Sequence, residues 1–316
     1  MNARSRPWLR VLLPVSAAAA LALGAVAATA APGRPSSVGA ARSATAVGHT
    51  AVAACNTHAS SLAPLPGPPQ VTSGPFMEKI RARGFLIAGV DQSTYHFGFF
   101  NPADGQIEGF DIDMIKAVSQ AIFGNPNQVQ YKAISDAQRE PDIQSGAVDI
   151  VAHTMTILCK RLKNEHFSSV YFDAAQRVLV LKNSAARSLA DLRGQKVCAT
   201  AGADSLAVIV KYGAIPVAVP YWTDCLVLLQ QGDVAAISTD DAILYGLAAQ
   251  DPFTMVVGPR LTDEPYGLAI SNQHPDFVRF VNAVLEQLRT DGQWAASYRH
   301  WIGPSAPAPP QAQYSD

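Results

Sequence analysis

The chain has 316 residues with a formal net charge of −1, and 48% of its residues are hydrophobic. This length leaves room for two ordinary domains, and the apolar fraction excludes a wholly disordered chain. A near-neutral charge argues against a nucleic-acid-binding protein, which would carry a basic surplus. Four cysteines are too few for a disulfide scaffold, but they suffice for two structural bridges.

The first predicted element is a secretory signal peptide over residues 1–30. Arginines near the start precede an uncharged run from Val11 to Ala31, and Ala28-Thr29-Ala30 offers the small residues of a cleavage site. We therefore expect an exported protein, either associated with the cell surface or secreted. The alternative is an uncleaved N-terminal helix, because a run of this length can just span a bilayer.

Two segments of low complexity enclose the predicted globular region. Residues 31–75 are rich in Ala, Ser, Thr, Gly and Pro, which predicts a tether or a partly ordered arm. Residues 303–316 form a tail rich in Pro and Ala. The globular region is therefore expected between residues 76 and 302.

Strand and helix patterns alternate along this region. The predicted strands cover residues 85–90, 129–134, 148–152, 177–181, 196–199, 217–219, 235–238, 255–257 and 267–270. The predicted helices cover residues 77–83, 111–123, 141–146, 205–211, 224–231, 241–248 and 275–291. The alternation predicts an α/β protein with parallel sheets, and the length suits two lobes better than one sheet.

Common catalytic and cofactor-binding motifs are missing from the sequence. It contains no glycine-rich phosphate or dinucleotide loop, no zinc-protease motif, no serine-hydrolase elbow and no C-x-x-C pair. The seven histidines do not cluster at the spacing of metal ligands. A binding protein without a cofactor or a metal is therefore the leading class.

Several segments together carry a resemblance to a known family. They are GQIEGFDID (105–113), AQREPDIQSGAVD (137–149), TMTILCKRLKNEHFS (154–168), LRGQKVCATAGADS (192–205), TDDAILYG (239–246), EPYG (264–267) and DGQW (291–294). With them, the region from Gly84 to Trp301 resembles the polar amino-acid-binding proteins of ABC importers. The likeness is greatest to the glutamate/glutamine-type actinobacterial branch.

The resemblance implies a two-lobed, periplasmic-binding-protein-like fold of type II. Each lobe is expected to hold a mixed, mostly parallel sheet flanked by helices, with a hinge of two strands between the lobes. Lobe 1 is expected over residues 76–176 plus 268–302 and lobe 2 over 177–267, with crossings near 174–180 and 262–268. Such a protein, expected to be monomeric, closes on one amino acid and docks on a membrane permease.

A free amino acid needs a cation for its carboxylate and an anion for its ammonium. Arg161 lies five residues after Thr156, as the family's carboxylate-binding arginine does. By resemblance, Thr154 and Thr156 also contact the ligand, Asp240 binds the ammonium and Thr239 lines the pocket. The alternative for Arg161 is a surface position in a basic cluster.

The turn 202–205 precedes a predicted helix, whose N-terminal N–H groups would receive the same carboxylate. Alternatively, Asp204 or Ser205 only caps that helix. Asp204 departs from the family pattern, which has small hydroxyl residues here. Because a carboxylate facing the cleft would repel an acidic ligand, we expect Asp204 to turn outward.

Two charged residues are expected to decide the ligand's side chain. Arg139 holds the position that faces a side-chain carboxylate in relatives that bind acidic amino acids, although a solvated helix start is also compatible with it. Asp91 follows the first strand and would accept from an amide ligand or hold Arg139 in place. Phe97 is expected to cover the aliphatic part of the ligand, and Trp222 to close the pocket. Glutamate or aspartate is therefore the first choice, followed by glutamine or asparagine.

The resemblance pairs Cys198 with Cys225 in lobe 2. It also allows Cys55 to pair with Cys159, which would hold the arm on lobe 1. Export to an oxidising compartment favours both bridges. The alternative is a lipid anchor at Cys55, which follows small residues.

Two other functions are compatible with the same fold. One is a sensor module that reports the amino acid to a membrane partner. The other is a dehydratase-like enzyme that uses Asp91 or Asp204 as acid and base. The pairing of Arg161 with Asp240 as a binding clamp favours a protein that is not an enzyme.

Overall fold

A computed structural model describes residues 55–59, 61–69 and 74–316 of the chain. The predicted signal peptide, residues 1–30, lies outside these residues, as does most of the predicted tether. Among the described residues, no helix is both long enough and apolar enough to cross a membrane.

Strands and helices alternate through most of the described chain. The strands are β1 (Leu86–Val90), β2 (Ser93–Thr94), β3 (Gly98–Asn101), β4 (Gln106–Glu108), β5 (Val129–Ala133), β6 (Ile150–Ala152), β7 (Glu165–Phe167), β8 (Phe172–Ala174), β9 (Gln176–Leu181), β10 (Lys196–Thr200), β11 (Ile215–Val219), β12 (Ala236–Asp240), β13 (Thr254–Val257), β14 (Glu264–Tyr266) and β15 (Ala269–Ser271). The α-helices are α1 (Pro75–Arg83), α2 (Phe110–Phe123), α3 (Arg139–Gln144), α4 (Ser205–Lys211), α5 (Trp222–Gln231), α6 (Asp241–Gln250), α7 (Pro275–Thr290) and α8 (Gln293–Trp301). Short 3₁₀ turns cover Asp136–Gln138, Arg161–Lys163 and Leu189–Leu192.

Lobe 1 is built on a five-stranded sheet in the order β5-β1-β6-β15-β7. The central strand β1 pairs in parallel with β5 and with β6. Most of its residues are buried, as expected for a strand covered on both faces. Helices α2 and α7 contribute buried apolar residues to the same core, including Ile115 and Val281.

Lobe 2 repeats this plan with the sheet order β11-β10-β12-β9-β13. Strand β10 pairs in parallel with β11 and β12, whereas β9 runs antiparallel to β12 and β13. A separate apolar core holds this lobe together, with Leu179, Ile237 and Leu244 among its buried members. The predicted α/β fold with two lobes and mixed sheets is confirmed.

The chain crosses between the lobes twice, at β8 and at β14. These two strands pair with each other in antiparallel fashion, with Ala174 opposite Glu264 and Phe172 opposite Tyr266. The first crossing begins two residues before the predicted window, and the second falls within its window. The paired strands form the two-stranded hinge.

The final helix of the globular region differs from the prediction. The sequence pattern predicts one helix over residues 275–291, but α7 ends at Thr290 and a further helix, α8, begins at Gln293. Gly292 between them has φ 80°, a left-handed conformation that interrupts the α-helix. Trp294 of α8 is buried and donates a hydrogen bond to the Tyr171 carbonyl oxygen at 2.8 Å.

Both predicted disulfides are present. Cys198 of β10 and Cys225 of α5 join two elements of lobe 2, whereas Cys55 of the arm is bonded to Cys159 of lobe 1. The arm is also held by Ser61, whose hydroxyl donates to the Phe167 carbonyl oxygen at 2.6 Å. The described part of the arm therefore lies on lobe 1.

Candidate functional site

A narrow cavity lies where the carboxyl ends of central strands from both lobes meet. Ligands of open α/β sheets typically bind at these strand ends. The residues that line the cavity are Asp136, Arg139, Thr154, Thr156, Ala203, Asp204, Ser205, Trp222, Thr239, Asp240 and Ile243. Both lobes thus contribute to one small, mostly polar chamber.

Arg161 does not itself line the cavity but lies behind its lobe 1 wall, in contact with the lining residue Thr156. It is almost completely buried, with 1% of the side chain exposed. Its Nη1 donates to the Thr156 carbonyl oxygen at 2.8 Å, and its Nε donates to Glu140 Oε1 at 3.0 Å. These contacts fix the plane of the guanidinium. A fixed guanidinium can bind a ligand carboxylate with two parallel hydrogen bonds.

Thr154 and Thr156 follow β6 and line the cavity beside Arg161. The backbone N–H of Thr154 donates to Asp111 Oδ2 at 2.8 Å, and its φ of 43° is unusual for a residue other than glycine. Its hydroxyl is buried and has no partner among the described residues. A buried hydroxyl without a partner is available to a ligand.

Lobe 2 places Asp240, Thr239 and Ser205 on the opposite side of the cavity. Asp240 Oδ2 accepts a hydrogen bond from the Tyr266 hydroxyl at 2.7 Å, and the Ser205 hydroxyl lies 3.1 Å from Thr239 Oγ1. All three are buried. They present a carboxylate and two hydroxyls to the cavity from lobe 2.

The carboxyl groups of the site strongly affect each other. Burial, together with the charges of Glu264 and Asp204, raises the pKa of Asp240 well above its ordinary value. Burial and the charge of Asp204 raise the pKa of Glu264 to about 7. A ligand ammonium placed among these carboxylates would relieve this repulsion.

Arg139 lies at the start of α3 and lines the cavity, but it already has a partner. Its Nη1 lies 2.8 Å from Asp136 Oδ1 and donates to the His153 carbonyl oxygen at 3.1 Å. Its Nε donates to the Asp136 carbonyl oxygen at 3.1 Å. The partner of Arg139 is therefore Asp136, and not Asp91 as the sequence suggested.

Asp91 is buried at the end of β1 and is occupied by its own turn. Its Oδ1 accepts from the backbone N–H of Gln92 at 2.6 Å and of Ser93 at 2.9 Å, and its Oδ2 accepts from the Thr94 hydroxyl. His153 Nε2 lies 4.0 Å away from it. Asp91 is not among the residues that line the cavity, so both predicted roles lack support from the geometry.

The aromatic side chain at the cavity comes from lobe 2. Phe97 packs edge-on against Phe110 and Phe172 in the core of lobe 1, with ring centroids 5.9 Å and 5.0 Å away. It does not line the cavity, where the sequence placed it. Trp222, which the sequence also placed at the pocket, does line the cavity. It is 2% exposed and has an indole N–H without a partner among the described residues.

Asp204 faces the cavity, which corrects the expectation that it turns outward. Its Oδ1 lies 4.0 Å from Arg161 Nη1, and 25% of its side chain is exposed. Repulsion of an acidic ligand alone would turn this carboxylate outward. The fold adds an attraction, because it brings the Arg161 guanidinium of the other lobe close to Asp204.

The lobes approach each other closely beside the cavity. Thr200 of lobe 2 donates a hydrogen bond from its hydroxyl to Asp136 of lobe 1. Gly202 has φ 91°, and a Cβ atom there would lie 2.7 Å from Ala137 Cα. Only glycine fits this contact without displacing the backbone of the opposite lobe.

Sequence reasoning did not single out Asp136 and Glu264. Asp136 lies three residues before Arg139, a spacing at which acidic and basic side chains of a helical turn meet. Glu264 belongs to the EPYG segment but gave no signal of its own, because its burial depends on the hinge. Within the described residues, no group of three or more His, Cys, Asp or Glu side chains could hold a metal ion.

The two lobes, the hinge and a polar cavity lined by both lobes define a two-lobed solute-binding protein. Residues 86–304 match the bacterial extracellular solute-binding proteins, family 3, and the chain belongs to this family. The family consists of binding proteins that act outside the cell, which agrees with the predicted export. The actinobacterial branch stays a prediction.

Individual relatives of the chain are amino-acid-binding proteins. The chain is 36% identical over 220 residues to the ABC transporter glutamine-binding protein GlnH of Bacillus subtilis, with 69% of this chain and 81% of that protein covered. It is 25% identical over 252 residues to the glutamate/aspartate import solute-binding protein of Salmonella typhimurium, with coverages of 76% and 82%. The solved structure of an ancestral arginine-binding protein bound to glutamine aligns with a TM-score of 0.66 and 32% identity, covering 70% of this chain and 99% of that chain.

Proposed function

We propose that this protein captures a neutral, amide-bearing amino acid, glutamine before asparagine, and delivers it to an ABC permease in the membrane. Arg161 of lobe 1 would bind the α-carboxylate, and Asp240 of lobe 2 would bind the α-ammonium. Closure of the lobes on the hinge would bury both pairs, where charge-assisted hydrogen bonds are strong. The protein is monomeric in this proposal and carries out no reaction on its ligand.

The observation that carries the choice of ligand is the pairing of Arg139 with Asp136 at 2.8 Å. The sequence favours an acidic ligand because Arg139 could bind a side-chain carboxylate. Both partners of this pair are buried, with 4% and 3% of their side chains exposed, so the charge of Arg139 is neutralised inside the protein. Arg161 differs, because its partner Glu140 is 37% exposed to solvent and contacts only Nε, which leaves its charge less compensated. The higher identity to the glutamine-binding relative, 36% against 25% for the glutamate/aspartate one, supports the same choice.

The remaining charges of the site also favour a ligand with a neutral side chain. Asp204 and Asp240 line the cavity, and burial beside Asp204 raises the pKa of Glu264 to about 7. A ligand with a second carboxylate would add to this negative charge. A neutral side chain avoids the repulsion and can donate from its amide N–H₂ group.

Calorimetric titration of the purified chain with glutamine, asparagine, glutamate, aspartate and arginine tests the proposal at pH 7.5. We expect glutamine to bind at least about tenfold more tightly than glutamate, a difference of about 1.4 kcal/mol. Tighter binding of glutamate or arginine would contradict the choice of ligand. No heat with any of the five would contradict amino-acid capture itself.

A variant can test the reason for the preference. In Asp136→Asn, Arg139 loses its carboxylate partner, so the ratio of glutamate to glutamine affinity should rise about tenfold or more. Asp142→Asn is the matched control, because Asp142 lies on α3, directly after the 3₁₀ turn that holds Asp136, but pairs with Lys132 Nζ at 3.0 Å. An equal ratio in both variants would show that Asp136 does not set the preference.

A further inference from the structure

The carboxylate of Asp204 is not used by the helix that it precedes. Asp204 stands at the N-cap position of α4, but its side chain makes no capping hydrogen bond, and its backbone is helical with φ −70° and ψ −21°. A capping aspartate would have an extended backbone and accept from the first turn. The side chain therefore has another role than helix capping.

Asp204 instead approaches the guanidinium that is proposed to bind the ligand. Its Oδ1 is 4.0 Å from Arg161 Nη1 of the opposite lobe. Asp204 lines the cavity, and Arg161 lies directly behind Thr156, which lines it from lobe 1. Arg161 is 1% exposed, so its charge is poorly screened by water. The two charges attract each other across the cleft.

From this geometry we infer that Asp204 is an internal competitor for Arg161: it attracts the guanidinium in place of the ligand's α-carboxylate and thereby lowers the affinity for amino acids. The inference rests on the proposed function, because it takes Arg161 as the carboxylate-binding group. Asp204 is then a residue that sets affinity without contributing a favourable contact to the ligand.

The neighbouring carboxylates make the competition stronger. The charge of Asp204 raises the pKa of both Asp240 and Glu264, which shows that the three carboxyl groups lie close enough to repel each other. A ligand α-carboxylate that binds Arg161 would lie close to the negative charge of Asp204, which is 4.0 Å from Arg161 Nη1. To bind, it has to weaken the contact between Asp204 and Arg161 and tolerate a negative neighbour.

The test compares Asp204→Asn with the wild-type chain by calorimetric titration with glutamine at low and at high salt. The amide keeps the shape and removes the charge, so we expect about tenfold tighter binding at low salt and a smaller gain at high salt. Asp233→Asn removes the same charge from an exposed position of lobe 2 and should leave the affinity unchanged. Unchanged or weaker binding in Asp204→Asn would overturn the inference.

A second measurement does not depend on the identity of the ligand. Small-angle X-ray scattering of both proteins without added amino acid reports how far the lobes open in solution. Because Asp204 attracts Arg161 across the cleft, the Asp204→Asn variant should be more open than the wild type. Identical scattering curves for the two proteins would contradict an attraction between Asp204 and Arg161. If the wild type binds no amino acid but the variant opens, the proposed function fails while the contact stands.

Discussion

The two lobes have similar sheets but opposite charge arrangements at the cavity. In lobe 1 each arginine at the site has its own carboxylate, Arg139 with Asp136 at 2.8 Å and Arg161 with Glu140 at 3.0 Å. In lobe 2 the lining residues include Asp204 and Asp240 but no Lys or Arg. At the site, the side-chain charges of lobe 1 are thus balanced, whereas those of lobe 2 are negative.

This difference explains how a zwitterion would be oriented between the lobes. The ammonium is attracted to the unbalanced carboxylates of lobe 2, and the carboxylate to the fixed guanidinium of lobe 1. A ligand that joins the lobes in this way stabilises the closed arrangement more than the open one. The following predictions test whether each lobe has the role that its charges suggest.

The largest expected effect is loss of binding when lobe 1 loses its guanidinium. In Arg161→Ala the affinity for glutamine should fall by about two to three orders of magnitude, because a buried charged partner is removed. Titration calorimetry measures the change. Lys160→Ala removes an exposed neighbouring cation and should change affinity less than about twofold. Similar losses in both variants would contradict the assignment of Arg161.

The second prediction concerns the stability of lobe 2. The bond between Cys198 and Cys225 closes a loop with a sequence separation of 27 residues within this lobe. Replacing both cysteines by serine should lower the free energy of unfolding by about 3 kcal/mol, mainly because the unfolded chain gains freedom. Chemical denaturation measures this loss. Relative to the wild type, amide hydrogen exchange in the variant should become faster in lobe 2 and stay unchanged in lobe 1. An equal acceleration in both lobes would contradict a local effect of the disulfide.

The third prediction concerns the fit between the lobes. Gly202→Ala places a Cβ atom 2.7 Å from Ala137 Cα of the other lobe. Closure should be hindered, so glutamine affinity should fall about tenfold, a cost of about 1.4 kcal/mol. Gly194→Ala is the matched control, because this lobe 2 glycine also has a positive φ, 73°, but no atom lies within 4 Å of its added Cβ. Equal affinities in the two variants would exclude a steric effect on closure.

The smallest effect is a pH dependence of stability, to which two buried carboxyl groups of lobe 1 contribute. Burial and the charge of Glu140 raise the pKa of Glu165 to about 7, and burial raises that of Asp111 to about 6. The folded state therefore holds protons that the unfolded state releases at lower pH, and the free energy of unfolding should fall as pH rises from 5 to 8.

Glu165→Gln should remove about 1–2 kcal/mol of this fall, since the amide does not titrate. Urea unfolding at pH 5, 6, 7 and 8 measures the slope for each protein. Glu78→Gln alters an exposed carboxylate and should leave the slope unchanged. A slope that is as steep in Glu165→Gln as in the wild type would rule out Glu165 as its source.

Local sequence patterns were sufficient for most of the fold. Short apolar runs such as Leu86–Val90 predicted the central strands because a strand covered on both faces needs continuous apolar residues. The helix boundary at Gly292 was missed because the apolar spacing continues past it, while only its φ of 80° interrupts the helix. The short strands β2, β3 and β4 were missed because too few residues define their period.

The sequence by itself, through the family that its segments resemble, was sufficient to predict the class of protein, the two lobes, both disulfide pairs and the residues Arg161 and Asp240 as a candidate clamp. These predictions depend on several segments along the chain, since Cys55 and Cys159 alone are 104 residues apart. The tertiary structure decided the surroundings of the other site residues: Asp136 beside Arg139, Asp204 toward Arg161 and Phe97 in the core. The reason is that the charge and packing around a side chain depend on residues of the opposite lobe or of distant strands. Their positions are set only when the two sheets and the hinge come together.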